Sequence, residues 1–314
     1  MKGVKKPDIL TRPDLAKSCG GFTIIEIIIF LAVSAAIFAS AMTLLSGKQS
    51  KTEFSTGITQ LTSGLQSAVG NVANGYYNLP PDYKCSAGLS GAPTISGGGS
   101  STLGTNTGCT FIGEVLQFGT GSSDNQTYTI YPVVGRQYAP GGTGTDDVTN
   151  LAQAIPTSSI AGPDITSATS LPYGITVHHG GMTYSNGGST TNIGAVGFLT
   201  TFNGYSGSVT NDLNSGSQNV QIIPMPGSSL TETKATQVGQ INSLTDNCPS
   251  SPPGSVCYVN TGRFGSQIAP KNPDGGVNIC FDSGSTGESA LMIIGGSNSP
   301  TSITLKRFSQ KGCA

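Results

Sequence analysis

Residues 20–45 read GGFTIIEIIIFLAVSAAIFASAMTLL, and this stretch decides how the chain is organised. Glu26 is the only ionisable residue between Phe22 and Leu45. A helix of this length reaches roughly 36 Å at about 1.5 Å per residue, which is enough to cross a bilayer. The sequence therefore predicts a membrane-spanning helix over residues 22–45.

The segment before this apolar run is basic. Its five cations outnumber its two carboxylates, whereas the whole chain has a formal net charge of −1. The cations are Lys2, Lys5, Lys6, Arg12 and Lys17. Positive charge on this side of the span orients the N-terminus toward the cytoplasm, so the residues after Leu45 are expected outside the cytoplasmic membrane.

Glu26 separates three interpretations of this N-terminus. A cleaved secretory signal has a shorter apolar region of about 7 to 15 residues, although Ala39-Ser40-Ala41 offers small residues for its cleavage site. A permanent anchor leaves the carboxylate unpaired in hydrocarbon, at a cost of about 3 kcal/mol. In the third interpretation, a cut before Phe22 creates an ammonium group that pairs with Glu26. A lipoprotein signal is excluded because Cys19 precedes the apolar run instead of following it.

The sequence Gly20-Gly21-Phe22-Thr23-Ile24-Ile25-Glu26, followed by an aliphatic run, resembles the processing site of type IV prepilins and type II secretion pseudopilins. The resemblance covers residues 15 to about 77, and the leader, residues 1–21, is long for the group. It implies that a membrane aspartic peptidase cuts after Gly21, that Phe22 is then N-methylated, and that Glu26 is needed for assembly. The implied partners are this prepilin peptidase and methylase, other pilin or pseudopilin subunits, an inner-membrane assembly platform and, before assembly, membrane lipid.

The chemistry of such a cut follows from the residues themselves. It removes every leader cation and leaves an apolar helix that starts with an α-amino group. In a helical filament, the Glu26 carboxylate of one subunit can meet the terminal ammonium of Phe22 on a neighbour, so a charge that is unpaired in lipid becomes paired. Such a pair would set the axial register between subunits.

The composition indicates an extracytoplasmic, β-rich body. Charged residues make up 10% of the 314 residues, against a usual fraction of about 25%. The net charge of −1 gives no global attraction for nucleic acid, and a hydrophobic content of 36% argues against a fully disordered chain. The 45 glycines lack a three-residue period, which excludes collagen.

The apolar helix is predicted to continue into an amphipathic second half, residues 46–77. Apolar residues recur there in steps of three and four, at Phe54, Ile58, Leu61, Leu65, Ala68, Val69, Val72 and Tyr76. Proline is absent between Pro13 and Pro80, which favours one helix from Phe22 to about Tyr76 whose second half packs against a head. Gly47 is expected to bend or locally melt it.

Residues 78–314 are predicted to form the head, which makes the fold class α+β, with a long N-terminal helix packed on an antiparallel β-rich domain. The predicted strands are Thr110 to Phe118, Tyr128 to Val134, Tyr173 to Val177, Ile193 to Phe202, Val220 to Pro224, Val256 to Val259, Val277 to Phe281, Ala290 to Ile294 and Ile303 to Phe308. The last three are expected to form a meander. Long polar loops are expected at Ser86 to Gly108, Gly119 to Gln126, Pro140 to Pro172 and Tyr184 to Asn192.

Disulfide bonds are expected to cross-link this head. Loss of the leader removes Cys19 from the seven cysteines and leaves an even set. Sequential pairing is the simplest of the many connectivities, and it joins Cys85 with Cys109, Cys248 with Cys257, and Cys280 with Cys313.

The sequence offers little for catalysis or metal binding. His178 and His179 are adjacent, so on a strand they point to opposite faces and do not share a metal. Neither a nucleophile signature nor a phosphate-binding glycine pattern is present, so no enzyme activity and no cofactor are expected. Calcium is a minor alternative, with oxygens from Asp146-Asp147 and from residues 272–274, although such loops are usually plain turns.

A small basic cluster near the C-terminus contains Lys306, Arg307 and Lys311. One interpretation is a DNA contact, similar to that of some pilus relatives with a closing meander of this kind. The other is a solvated strand edge whose cations discourage pairing with another strand. If the cluster binds DNA, its replacement by alanine should lower DNA retention and flatten the salt dependence of that retention.

Together these features predict a pilin-like structural subunit, minor or specialised, and three alternatives stay open. The head could instead be an adhesin or DNA-uptake receptor, which the helix only mounts, with a host surface or DNA as its partner. The chain could also be secreted, or anchored, with an activity of another kind. The predicted location is the cytoplasmic membrane as a single-pass protein, then a cell-surface pilus or a periplasmic pseudopilus.

Overall fold

A computed structural model of the chain describes residues 21–74, 83–88, 91–97, 109–119, 125–138, 148, 151–159, 168–186, 189–200, 220–227, 233–245, 257–258, 276–284, 287–296, 302–310 and 312–313. The chain forms two compact units, Met1–Gln49 and Ser50–Ala314. Helix α1 (Ile24–Ala73) contributes residues to both. The second unit contains the β-structure, so the predicted α+β class is confirmed.

The first unit is described from Gly21 onward. Its side chains from Gly21 to Thr43 are exposed, because no other described element packs on them. By length and composition, this helix near the N-terminus could span a membrane. A bend or local melting was predicted around Gly47, and the melting is wrong, since the backbone remains helical through that residue, while the bend stays a prediction. Neighbouring residues of high helix propensity outweigh the cost of one glycine, which is about 1 kcal/mol.

The second unit consists of short strands with two further helices. In chain order these elements are β1 (Tyr83–Ser86), β2 (Thr94–Gly97), β3 (Cys109–Phe118), β4 (Thr127–Arg136), α2 (Leu151–Ala154), β5 (Ala168–Ser170), β6 (Ile175–Asn186), β7 (Ser189–Thr200), β8 (Val220–Pro226), α3 (Lys234–Ile241), β9 (Leu244–Thr245), β10 (Cys257–Tyr258), β11 (Val277–Ser283), β12 (Ser289–Ile294) and β13 (Ile303–Phe308). Every predicted strand overlaps one of these.

The main sheet has nine strands in the order β13-β12-β11-β6-β7-β3-β4-β5, with β8 paired to β7. All of its pairings are antiparallel, and β11, β12 and β13 form the predicted meander. Strand β7 joins the two parts of the sheet, because its first residues pair with β6 and its later ones pair with β3 and β8. A register shift between Ile193 and Ala195 marks this change.

Two apolar cores lie on the two faces of this sheet. Core 1 lies between α1 and the sheet, and it contains Phe54, Ile58, Leu61, Leu65, Val69 and Val72 of the predicted helical stripe. Core 2 lies on the other face, under α2 and α3. An ion pair of 2.9 Å between Lys51 Nζ and Glu288 Oε1 also joins α1 to the segment before β12. The prediction that the second half of the helix packs on the head is therefore confirmed.

Several segments predicted as loops contain regular structure. Tyr184 to Asn192 was expected to be a loop, but its described residues belong to the β6–β7 hairpin. Polar Thr, Ser and Asn side chains suit these strand ends because they are only partly buried. The predicted loop from Pro140 to Pro172 contains α2 and β5, and the predicted loop from Ser86 to Gly108 contains β2. Tyr173, predicted to begin a strand, lies in a 3-10 turn before β6.

Gly57 of α1 packs closely against the start of β6 and the turn before it. A Cβ atom at this position would lie 2.6 Å from Ile175 Cδ1 and 3.1 Å from Tyr173 Cδ2. A Cβ at Gly64, on the same helix, would meet nothing within 4 Å. The helix therefore needs a glycine at position 57 and not at position 64.

This difference gives a prediction about stability. We expect Gly57→Ala to lower the free energy of unfolding by about 1–3 kcal/mol, because overpacking outweighs the gain in helix propensity. Gly64→Ala is the matched control and should raise stability by up to about 1 kcal/mol. Urea denaturation of both variants measures the difference. Equal stabilisation by both substitutions would show that the helix lies farther from the sheet than described.

Candidate functional site

The predicted cleavage junction lies immediately before the first turn of α1. Gly21 and Phe22 are non-helical, and the helix begins at Ile24. Phe22 is 79% exposed, and a Cβ at Gly21 would meet nothing within 4 Å. A peptide bond that lies outside the helix and is not covered by other described residues can enter a protease cleft without unfolding the helix that follows it. The junction is therefore sterically open to a peptidase.

Glu26 makes hydrogen bonds with Thr23 at the start of the helix. Its Oε2 accepts from the Thr23 backbone N–H at 3.2 Å and from the Thr23 hydroxyl at 3.2 Å. The Glu26 backbone N–H in turn donates to Thr23 Oγ1 at 3.4 Å. This reciprocal pattern is a capping box, in which the first and fourth residues of the helix start satisfy each other's backbone groups.

The capping box changes the interpretation of Glu26. The sequence alone predicts a carboxylate that is unpaired until the chain is cut, whereas the structure gives it two donors within its own chain. These hydrogen bonds reduce the desolvation cost of the carboxylate without neutralising its charge. The Thr-x-x-Glu spacing was visible in the sequence, and it is the signal that would have identified Thr23.

A prediction tests this role of Thr23. Thr23→Ala removes the cap, at a cost of about 0.5–2 kcal/mol, so we expect amide exchange at Glu26 to speed up by roughly 2- to 30-fold. Thr23→Ser should keep the slow exchange, because serine is an equally good cap. Hydrogen-exchange mass spectrometry on the micelle-bound full chain measures both. Unchanged exchange in Thr23→Ala would contradict the capping box.

The helix that follows exposes a continuous apolar surface. Side chains that are at least 48% exposed are Phe22, Ile24, Ile25, Ile27, Ile28, Ile29, Phe30, Leu31, Val33, Ile37, Phe38 and Met42. A surface of this kind is not stable in water and must be covered by lipid or by other apolar helices. Membrane insertion and helix packing into a filament core both provide that cover.

Two of the three predicted disulfides are present. Cys85–Cys109 joins β1 to β3, with 6.1 Å between the Cα atoms, and Cys280–Cys313 joins β11 to the C-terminus, with 5.8 Å between them. Cys257 begins β10, but Cys248 lies outside the described residues, so that pair stays a prediction. The two observed bridges hold segments that carry few apolar contacts of their own.

Side-chain hydrogen bonds also hold the C-terminal segment. Ser289 Oγ lies 2.8 and 2.7 Å from the carbonyl oxygens of Gln310 and Gly312, so its single hydroxyl proton is shared between these two acceptors. Asp282 Oδ1 accepts from the Gly312 N–H at 3.1 Å, and Asp282 Oδ2 lies 2.6 Å from His178 Nδ1. His178 therefore supports the chain terminus through Asp282, which is a structural role for one of the two histidines.

The described residues were searched for side chains that could bind a metal ion together. Within that part of the chain, no group of three His, Cys, Asp or Glu side chains is placed to hold a metal ion. Asp146, Asp147 and residues 272–274 lie outside it, as does the side chain of His179. The calcium alternative therefore stays a prediction.

The structure separates the cations proposed to contact DNA. Lys306 and Arg307 are both exposed on β13, the last strand of the sheet path. Leu305 packs against core 1, so Arg307 shares that face and Lys306 points to the other one. Lys311 lies outside the described residues. Two cations on opposite faces of an edge strand match the solvated-edge interpretation better than a single DNA-binding patch.

Two polar groups in the head, the partly buried Glu114 and the fully buried Tyr131, were not predicted from the sequence. Glu114 lies on β3 between Phe198 of β7 and Pro132 of β4, and burial raises its pKa to about 7. Tyr131 donates a 2.6 Å hydrogen bond to Gln117 Oε1, and burial raises the pKa of the phenol. A single acid in an otherwise ordinary strand carries no motif, so only packing reveals it.

Comparison with known proteins adds no family assignment. No protein-family model, no curated protein and no solved structure matches the chain. The function is therefore inferred from residues of the N-terminal junction, the apolar helix and the head.

Proposed function

We propose that the chain is a type IV pilin-like structural subunit, either a minor or specialised pilin or a pseudopilin. In this proposal, prepilin peptidase cuts after Gly21 and Phe22 is N-methylated. The apolar part of α1 then leaves the membrane and joins the core of a pilus or pseudopilus. The observation that carries the proposal is the junction itself, where an exposed Gly21-Phe22 bond precedes a helix whose first turn holds the carboxylate of Glu26.

The second half of α1 supports a structural role for the chain. The same helix that exposes apolar side chains up to Thr43 buries Phe54, Ile58 and Val72 in core 1. The proposed assembly segment and the residues packed in core 1 thus belong to one helix, Ile24–Ala73. Disulfides in the head suit an oxidising compartment outside the cytoplasm.

Mass spectrometry of the mature N-terminus tests the proposal. A chain that starts with methylated Phe22 is the expected result. A start after Ala41 would show ordinary secretion, and an intact Met1 would show a permanent anchor. Either of these two results would overturn filament membership.

The binding-module alternative is separated by deleting the head. If the head is an adhesin or DNA receptor that the helix only mounts, filaments form without it while adhesion or DNA uptake is lost. If the chain is a structural subunit, its own incorporation into filaments is lost. The positions of Lys306 and Arg307 on opposite faces give the DNA alternative no support.

A further inference from the structure

Two strands at the ends of the sheet path differ in charge. Strand β13 carries the exposed cations Lys306 and Arg307, which discourage the addition of another strand. Strand β5, at the other end of the path, consists of Ala168, Thr169 and Ser170, which are all exposed and uncharged. Of these two edge strands, only β13 carries charged side chains that discourage the addition of another strand.

The backbone of β5 offers hydrogen-bonding groups on its outer side. Leu171 N–H donates to Gln126 O at 2.6 Å, and Thr169 lies opposite Tyr128 in the same register. Bonded and non-bonded pairs alternate in an antiparallel ladder, so Thr169 bonds inward while Ala168 and Ser170 point their N–H and C=O groups away from β4. No described residue bonds to these outward groups.

An apolar groove of about 280 Å³ opens beside this edge, between α1 and the sheet. Its apolar lining comes from Leu61, Leu65, Ala68, Leu116, Phe118, Tyr128, Ile130 and Pro172, and its polar lining from Gln60 and Ser170. Gly64 also lines the groove, and a Cβ there would meet nothing within 4 Å. Among the described residues that line the groove none is charged, so an uncharged apolar occupant fits best.

The size of the groove selects among apolar occupants. Enclosed small-molecule sites usually measure about 300–1,000 Å³ and surround most of their ligand. This groove is smaller and only partly enclosed, which suits one large side chain presented by a polypeptide. Strand addition works in this way, because main-chain hydrogen bonds supply affinity and a side-chain pocket supplies specificity.

We propose that β5 and this groove bind an extended, uncharged segment of a partner polypeptide, which adds as a strand along Ala168–Ser170 and inserts one large apolar side chain between α1 and the sheet. The contact is short, since β5 has only three residues. The affinity of one contact is therefore low, and a partner held nearby at high local concentration would occupy the site more fully than a free peptide. This inference does not depend on filament assembly.

The test uses the full chain in phospholipid nanodiscs and three fluorescent peptides with capped ends. The first peptide is Thr-Val-Phe-Val-Thr, the second has Ala in place of Phe, and the third keeps Phe but has N-methylated backbone amides. Fluorescence anisotropy measures binding. We expect the first peptide to bind, and the second and third to bind at least about tenfold more weakly.

Two variants of the chain locate the binding to the groove. Gly64→Leu fills it and should weaken binding of the Phe peptide by about tenfold or more. Gly70→Leu is the matched control, since a Cβ there also meets nothing within 4 Å and Gly70 does not line the groove. Both substitutions replace a helical glycine with a better helix former, so neither should unfold the chain.

Three results would overturn the proposal. They are no binding of the Phe peptide, binding that Gly64→Leu leaves unchanged, and binding that N-methylation leaves unchanged. The last result would mean that the groove takes apolar groups without strand addition. None of these measurements involves cleavage after Gly21, so failure here leaves the proposed function to be decided by the mature N-terminus.

Discussion

Glu26→Gln subunits should be inserted and cut after Gly21 but should fail to enter filaments. Glutamine is less costly than a carboxylate in the membrane, so insertion is not impaired. In the proposed filament, glutamine cannot pair with the terminal ammonium of Phe22 on a neighbouring subunit, which leaves that ammonium buried and uncompensated. Breaking a buried ion pair from one side costs about 3–5 kcal/mol, so we expect subunit association to weaken by more than about a hundredfold.

The capping box makes this substitution a clean test of charge. Glutamine serves as well as glutamate at the fourth position of a capping box, so Glu26→Gln should preserve the hydrogen bonds with Thr23. Thr23→Ala has the complementary effect, because it removes the cap and keeps the carboxylate. Immunoblots of sheared filaments and of membranes, with mass spectrometry of the N-terminus, measure assembly and cleavage separately.

The result for Glu26→Gln shows which of two roles of Glu26 matters more, the capping box or the proposed ion pair between subunits. If Glu26→Gln subunits are cut and assemble at the wild-type level, the intersubunit ion pair is wrong and capping is the main role of the residue. Loss of cleavage, with the uncut chain retained in the membrane, would instead indicate that the peptidase reads the carboxylate. Only loss of filaments with normal cleavage agrees with the proposed function.

Local patterns predicted the elements that bury apolar residues at regular spacing. The stripe from Phe54 to Val72 follows the helical period and lies in core 1. The closing meander was predicted because its strands are short, apolar and separated by Gly/Ser turns. The pairs Cys85–Cys109 and Cys280–Cys313 follow chain order, which is why the simplest connectivity was correct for them.

Elements that depend on tertiary contacts were missed. Helix α3 has few apolar residues, and its buried face includes Gln237 and Gln240. Its start was nevertheless encoded, because Thr233 caps the N–H of Thr236 at 3.2 Å. The β6–β7 hairpin was missed because polar strand ends resemble a loop, although the Asn186-Gly187-Gly188 sequence is typical of a tight turn. In both cases the polar composition favoured a loop prediction over the local signal, which was a helix cap for α3 and a turn sequence for the hairpin.

The pKa of Glu114 makes the stability of the head depend on pH. Folding raises this pKa from about 4.5 to about 7, because the carboxyl group is partly buried, and so desolvated, on the face of the sheet that carries Leu116 and Phe118 of core 1. Below pH 4.5 the group is protonated in both states and has no effect. As the pH rises to 7, the unfolded chain ionises while the folded one still holds its proton, so the free energy of unfolding falls.

Glu114→Gln should abolish this loss of stability, because glutamine is neutral at every pH and similar in shape. Above pH 7 the variant should be more stable than wild type by up to about 3 kcal/mol, since each unit of pKa shift corresponds to about 1.4 kcal/mol. At pH 4 the two chains should unfold at nearly the same urea concentration. Urea denaturation at pH 4, 6 and 8, followed by tyrosine fluorescence, measures the difference. Parallel pH profiles for the two chains would mean that Glu114 is already ionised in the fold, and that its carboxylate has found a solvent path or a cationic partner.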